Sequence, residues 1–229
     1  MLSLSRSVQV LGDLSGCDYL LLQPADADEP GMAEEELTQL TRLCPGTRAA
    51  LAAFAVDWWQ DLTPWPCEPA FKGQPPFGDG AEHTLTFVTG ELLPALLEDT
   101  EKRPRVILGG YSLAGLFALW GGYQFAGFDA VVAASPSVWY PGWTAYAQTH
   151  RFQARAAYLS LGDKEAKTRN PLMRAVDTAL LMQRGALDAQ NIPNELEWNP
   201  GNHFVDAALR TAKGHAAMIR TLRSMPAHS

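Results

Sequence analysis

The stretch Pro104–Gly122, PRVILGGYSLAGLFALWGG, decides how this chain is read. Behind a charged boundary, Glu101-Lys102-Arg103-Pro104, the run Arg105-Val106-Ile107-Leu108 is short, apolar and β-branched. That is the pattern of a strand buried on both faces. Gly109-Gly110-Tyr111-Ser112-Leu113-Ala114-Gly115 follows, and Leu113, Leu116, Phe117 and Trp120 then recur at helical spacing. A serine at a sharp strand-to-helix turn between the smallest residues is a nucleophile elbow. Its backbone is strained, so the positions two before and two after the serine must carry almost no side chain. They are Gly110 and Ala114, giving G-x-S-x-A-G where G-x-S-x-G is usual. Such a turn lifts the Ser112 hydroxyl above the C-terminal edge of a parallel sheet. It also aims the helix N-terminus, with the Leu113 N–H, at the place where an oxyanion would form. An ordinary βα loop with packing glycines produces the same string, so the reading turns on whether an acid and a histidine follow in order.

Working outward, the chain alternates apolar runs with amphipathic stretches. Val8–Val10 and Tyr19–Leu22 are expected as two short strands joined by a Gly/Asp turn, a hairpin at the sheet edge. The acidic loop Asp26–Glu29 leads to a helix over 33–43, with Glu34–Glu36 in its first turn and Pro45-Gly46 ending it. Leu51–Val56 is the next buried strand. Glu82–Leu97 is expected as a helix, Asp129–Ala134 and Ala156–Leu161 as strands, and a short helix ends at His150. A long helix over about 170–188, a last strand at Asn194–Trp198 and a closing helix over about 205–223 complete the pattern. Alternation of this kind implies a mostly parallel sheet covered by helices on both faces. In such a sheet the strand-to-helix loops open on one edge, where ligands bind. The loops after Val56, Leu108, Ala134, Leu161 and Trp198 are expected to share it.

Two of those loops are aromatic. Asp57–Gly80 holds five prolines and three tryptophans, and a loop that long in a compact domain tends to be functional. Ser135–Trp143 is the other. Trp58, Trp59, Trp65, Trp139 and Trp143 are placed on the site edge, with Trp65 and Trp139 as substrate-binding candidates in an apolar pocket.

Length and composition suit one α/β domain over residues 1–229. The formal net charge of −7 argues against nucleic acid and anionic membranes as partners. No signal-peptide core and no run near the length of a membrane span appear. The three cysteines, Cys17, Cys44 and Cys67, lack CxxC spacing and suit a reduced cytoplasmic protein. No HExxH, HxH, Cys/His cluster or phosphate loop is present, so neither metal nor cofactor is expected.

A serine hydroxyl needs a base within hydrogen-bond reach and a third group to orient that base. His83 and His215 fall within expected helices, His150 at a helix end and His228 in the terminal tail. His203 alone lies in a loop directly after an expected strand. The acid comes from the loop after Leu161 and is Asp163 or Glu165. Glu165 is favoured because it leaves two residues beyond Gly162 for the loop to curl toward His203. Serine, acid and histidine in that chain order is the α/β-hydrolase arrangement. The second oxyanion N–H is assigned to Trp58, where the earlier strand ends.

With these residues in place, the chain resembles the putative esterase family of α/β-hydrolases, which includes enterochelin esterases, feruloyl esterases and S-formylglutathione hydrolase. The matching segments are Asp61-Leu62-Thr63-Pro64-Trp65, Phe77-Gly78-Asp79-Gly80-Ala81-Glu82, Glu91-Leu92-Leu93-Pro94, the elbow, Ala134-Ser135-Pro136-Ser137, Leu161-Gly162-Asp163-Lys164-Glu165 and Gly201-Asn202-His203-Phe204. The resemblance implies an α/β-hydrolase fold with Ser112, Glu165 and His203 catalytic, and cleavage of a small-molecule carboxylic ester through an acyl-enzyme. Its G-x-x-[DE] pattern is a second reason for Glu165. Family members acting on catecholate siderophores often carry an arginine where this chain has Gln60, which weakens the case for an anionic or catecholate substrate. Transfer of the acyl group to an alcohol or thiol, and a non-catalytic binding role, are the alternatives.

Overall fold

The computed structural model describes residues 4–26, 31–70 and 72–226. Most of the expected loop at 26–29 and His228 lie outside them. Seven strands form one sheet in the order β1-β3-β2-β4-β5-β6-β7: β1 Val8–Leu11, β2 Tyr19–Ala25, β3 Ala49–Ala55, β4 Arg105–Tyr111, β5 Ala130–Ala134, β6 Ala157–Gly162 and β7 Asn194–Asn199. All pairings are parallel except that of β1 with β3. This is the mostly parallel α/β sheet of the α/β-hydrolase type.

The expected hairpin is not formed. β1 pairs with β3, Val8 opposite Phe54 and Leu11 opposite Leu51, while β2 lies between β3 and β4. The reason is burial. Leu20, Leu21 and Leu22 are apolar on both faces and wholly buried, so β2 needs a neighbour on each side. β1 is short and half exposed, which suits the edge.

Side chains alternate along each strand and divide the core in two. Leu20, Leu22, Phe54, Val106, Leu108, Val131 and Leu159 face α2 Ala81–Phe87, α3 Leu93–Glu98, α4 Leu113–Gln124, α5 Trp143–Thr149 and α6 Val176–Ala189. Leu21, Leu51, Ile107, Val132 and Tyr158 face α1 Met32–Leu43 and α7 Ala207–Arg223. The helix expected over 82–97 is interrupted by a π turn at Val88–Leu92. Pro94, just beyond it, has no N–H to return to the carbonyl four residues earlier.

Two helix starts shift in ways that shape the site edge. α6 begins at Val176, after a short turn at Met173–Ala175, instead of near Asn170. The Asn170 amide donates to the Ala70 carbonyl, and its side-chain oxygen accepts from the Leu172 N–H, which fastens this segment to the first aromatic loop. α7 begins at Ala207 because Asp206 is left-handed at φ 53°, and the loop holding His203 is correspondingly longer. No helix among the described residues is long and apolar enough to cross a membrane.

Candidate active site

Ser112 stands between β4 and α4 with φ 57° and ψ −119°, a conformation L-residues rarely hold. Three backbone hydrogen bonds fix it: its N–H donates to the Ala134 carbonyl, and its carbonyl accepts from the Ser137 and Leu116 N–H groups. The size rule at the elbow is literal. A Cβ on Gly110 would lie 2.6 Å from the carbonyl carbon and Cβ of Ala114, so alanine fits at 114 because glycine occupies 110. Leu113 is the first residue of α4, and its N–H therefore has no carbonyl one turn earlier to bond.

His203 lies in the loop between β7 and α7, and its Nε2 is 3.0 Å from Ser112 Oγ. Its Nδ1 is 2.8 Å from Glu165 Oε2. Glu165 is 6% exposed, and its Oε1 accepts from the Gly162 N–H at 2.7 Å, Ser135 Oγ at 2.7 Å and Arg210 Nη1 at 3.0 Å. Burial pushes this carboxyl up, but the hydrogen bonds from His203, Ser135 and Gly162 outweigh it and hold the group below the ordinary carboxylate range. With Glu165 accepting, the His203 proton sits on Nδ1 and leaves Nε2 bare toward the serine, an assignment made from the network.

Of the two acids in the β6 loop, Glu165 faces the histidine. Asp163 is exposed, and its Oδ1 accepts from the Gly201 N–H at 2.8 Å, joining the acid loop to the histidine loop. Sequence reasoning missed the groups that hold this arrangement. Arg210, on α7, is 2% exposed. Besides Glu165 it donates to Tyr111 Oη, Ser135 Oγ and the carbonyls of Pro200 and Asn202. Tyr111 in turn donates to the His203 carbonyl at 2.7 Å. One guanidinium thus ties the acid, the nucleophile strand and the histidine loop together. Nothing in the sequence distinguishes Arg210 from a surface helix arginine. Ser135, at φ 44°, does follow a buried strand in a segment already singled out.

The cleft has two lobes that meet at Ser112 and His203. One, of about 150 Å³, is walled by Trp58, Trp59, Phe77, Leu113, Trp139 and Met173. The other, of about 270 Å³, is lined by Asp26, Met32, Tyr111 and Ala207. Trp58 and the 88% exposed Phe204 border both. Trp139 thus lines the first lobe. Trp65 is a correction. It lies outside the cleft lining, its indole N–H donates to the Pro141 carbonyl at 2.8 Å, and its ring packs on Tyr140 and Tyr146. Trp143 is likewise internal, donating to Gln183. In the turn at 57–60, Asp61 takes the Asp57 N–H and Asp57 takes those of Trp59 and Gln60. Among the described residues the Trp58 N–H makes no hydrogen bond. Gln60 is held by the Pro76 carbonyl.

The model of the putative esterase family matches residues 58–181, more than half of the chain. The chain belongs to that family. A siderophore enterobactin esterase of Emericella nidulans is 34% identical over 113 residues, 44% of this chain and 36% of its own length, so the match spans about a third of that relative. Among solved structures, an IroE-like serine hydrolase from Shewanella oneidensis aligns with a TM-score of 0.75 at 16% identity, covering 93% of this chain and 75% of the other. The siderophore hydrolase EstB from Aspergillus nidulans aligns with a TM-score of 0.65 at 19% identity, covering 92% and 88%. These structural likenesses concern the fold.

Proposed function

We propose that the protein is a serine hydrolase that cleaves a carboxylic ester of a small molecule through an acyl-enzyme. The observation that carries this is the unbroken chain Ser112 Oγ, His203 Nε2, His203 Nδ1 and Glu165 Oε2, with links of 3.0 and 2.8 Å, on a strained elbow. His203 Nε2 takes the Ser112 proton as Oγ attacks the ester carbonyl, and Glu165 stabilises the imidazolium that forms. The oxyanion is held by the Leu113 N–H, with the positive end of α4 behind it, and by the unengaged Trp58 N–H. Collapse of the tetrahedral species breaks the C–O bond, and the imidazolium gives its proton to the departing alkoxide. Water then repeats the sequence on the acyl-enzyme, releasing the acid and restoring Ser112. Membership of the esterase family supports this reading, as does the siderophore esterase relative.

Hydrolysis of p-nitrophenyl butyrate tests it. The wild type is expected to turn the ester over, and Ser112→Ala and His203→Ala to lose about 10⁴-fold or more in kcat. Equal rates for wild type and Ser112→Ala would contradict the assignment.

A further inference from the structure

The two lobes of the cleft share four residues, Ser112, His203, Trp58 and Phe204. An ester attacked at Ser112 lies at that junction, with its acyl half in one lobe and its alcohol half in the other. Side chains at the junction therefore meet the carbons on either side of the ester bond. Met173, in the first lobe, and Met32, in the second, each meet one half only. Ser112 and His203 are the nucleophile and base of the esterase reading, and the Trp58 N–H is assigned to the oxyanion. The Phe204 ring has no task in that chemistry.

Its exposure is unusual. The ring is 88% exposed, whereas the next most exposed large apolar side chain among the described residues, Leu181, is 51% exposed. A single apolar side chain on an open surface needs no explanation, but one at the mouth of a reactive cleft is covered by what enters it. The ring stands perpendicular to the His203 imidazole, with centroids 5.5 Å apart and planes at 88°. The backbone beneath it is held without its help. The Phe204 N–H donates to Asn202 Oδ1 at 3.0 Å, Tyr111 Oη donates to the His203 carbonyl, and Arg210 donates to the Asn202 carbonyl. Loss of the ring thus leaves the histidine loop fastened.

We infer that Phe204 is a specificity-determining residue, whose ring covers the substrate where the lobes join and selects esters that are apolar on both sides of the ester group. The assignment rests on the esterase reading above. Methylenes packed on the ring are as well covered in the bound ester as in the transition state, so the ring acts on binding.

The test measures kcat and KM for two ester series. In p-nitrophenyl acetate, propionate and butyrate only the acyl chain grows; in methyl, ethyl and propyl butyrate only the alcohol grows. The wild type is expected to gain about fourfold in kcat/KM for each methylene the ring covers. Phe204→Ala should reduce the preference for the longest over the shortest member by about threefold or more in both series, through KM. Phe204→Leu should restore most of it, being apolar and nearly as large. Met173→Ala should flatten one series only, and Met32→Ala the other. Both preferences unchanged in Phe204→Ala, or only one of them reduced, would overturn the inference. So would a loss carried by kcat with KM unchanged, which reports a displaced His203, or Met173→Ala and Met32→Ala flattening the same series. Any of these results with the esters still turned over defeats this inference alone. No turnover together with no fluorophosphonate labelling of Ser112 defeats the esterase reading and this one with it.

Discussion

Glu165 lies between His203 Nδ1, 2.8 Å from Oε2, and the buried Arg210 guanidinium, 3.0 Å from Oε1, so in the proposed mechanism its negative charge is shared between the imidazolium and Arg210. Arg210 is therefore a positioning residue with an electrostatic signature. Removing its charge leaves Glu165 freer to stabilise a protonated histidine, and removing its hydrogen bonds loosens the Pro200 and Asn202 carbonyls that flank the histidine loop. Arg210→Met is expected to lower kcat by about 10²-fold through misplacement and to move the acid limb of the kcat/KM profile to higher pH. Arg210→Lys should restore much of the limb's position but less of the rate, because lysine keeps the charge and loses the planar fork. An unshifted limb in Arg210→Met would leave a packing role only. At this scale the sequence was legible where chemistry constrains residue type: a serine between small residues, an acid after one strand and a histidine after the next. It was silent on Arg210, whose identity is common on helix surfaces and whose burial depends in part on Tyr111, Ser135 and Glu165, far away in sequence.

The elbow acts as one element because the strand and helix touch where they have least side chain. Gly110→Ala would drive a Cβ to 2.6 Å from the backbone of Ala114, an overpacking clash expected to cost about 1–3 kcal/mol. The thermal midpoint should fall and labelling at Ser112 should slow sharply; a Gly110→Ala protein as stable and reactive as wild type would contradict the geometry. The aromatic loops divide by function. Trp65 joins Tyr140, Tyr146 and Pro141 into a brace, so Trp65→Ala is expected to cost about 3 kcal/mol of stability in chemical denaturation. Trp139→Ala, by contrast, opens a wall of the apolar lobe and should raise KM for compact acyl groups and admit longer ones. Position in the chain suggested a shared edge for all five tryptophans, but only Trp58, Trp59 and Trp139 line the cleft, and walls could not be sorted from braces because both roles select large apolar rings. The β1–β2 hairpin failed for a related reason. Adjacency in sequence favoured it, whereas the apolar character of β2 on both faces required a central place.

Across the whole molecule, the sheet carries a second buried pair beneath the site. Glu36 on α1 and His215 on α7 are both fully buried, 3.2 Å apart, and His215 occupies the space that a side chain at Gly109 would need. Burial pushes Glu36 up to about 8 and His215 down to about 3, so the folded pair holds one proton and no net charge. The unfolded chain, with ordinary values of 4.5 and 6.5, holds none above pH 6.5, one between, and two below pH 4.5. The folded state thus binds the extra proton from about pH 6.5 to 8, where the pair's contribution falls as pH rises. Below about pH 4.5 the unfolded state binds more, and the contribution falls again. The unfolding free energy should therefore be on the order of 1–2 kcal/mol lower at pH 8 than at pH 6 in wild type, whereas in Glu36→Gln, where only the unfolded His215 takes up a proton, it should rise slightly over the same range; an equal fall in both would exclude the pair as its source. At this scale most of the architecture was readable, because parallel strands with helical crossovers gather their loops on one edge whatever the details. That gathering brings His203 to Ser112, and the proposed activation of the serine by the histidine rests on it. The most direct test is mass spectrometry after exposure to a fluorophosphonate. One adduct is expected, on the peptide containing Ser112, formed by wild type and nearly lost in folded His203→Ala. An unlabelled wild type, or equal labelling of the two proteins, would contradict it.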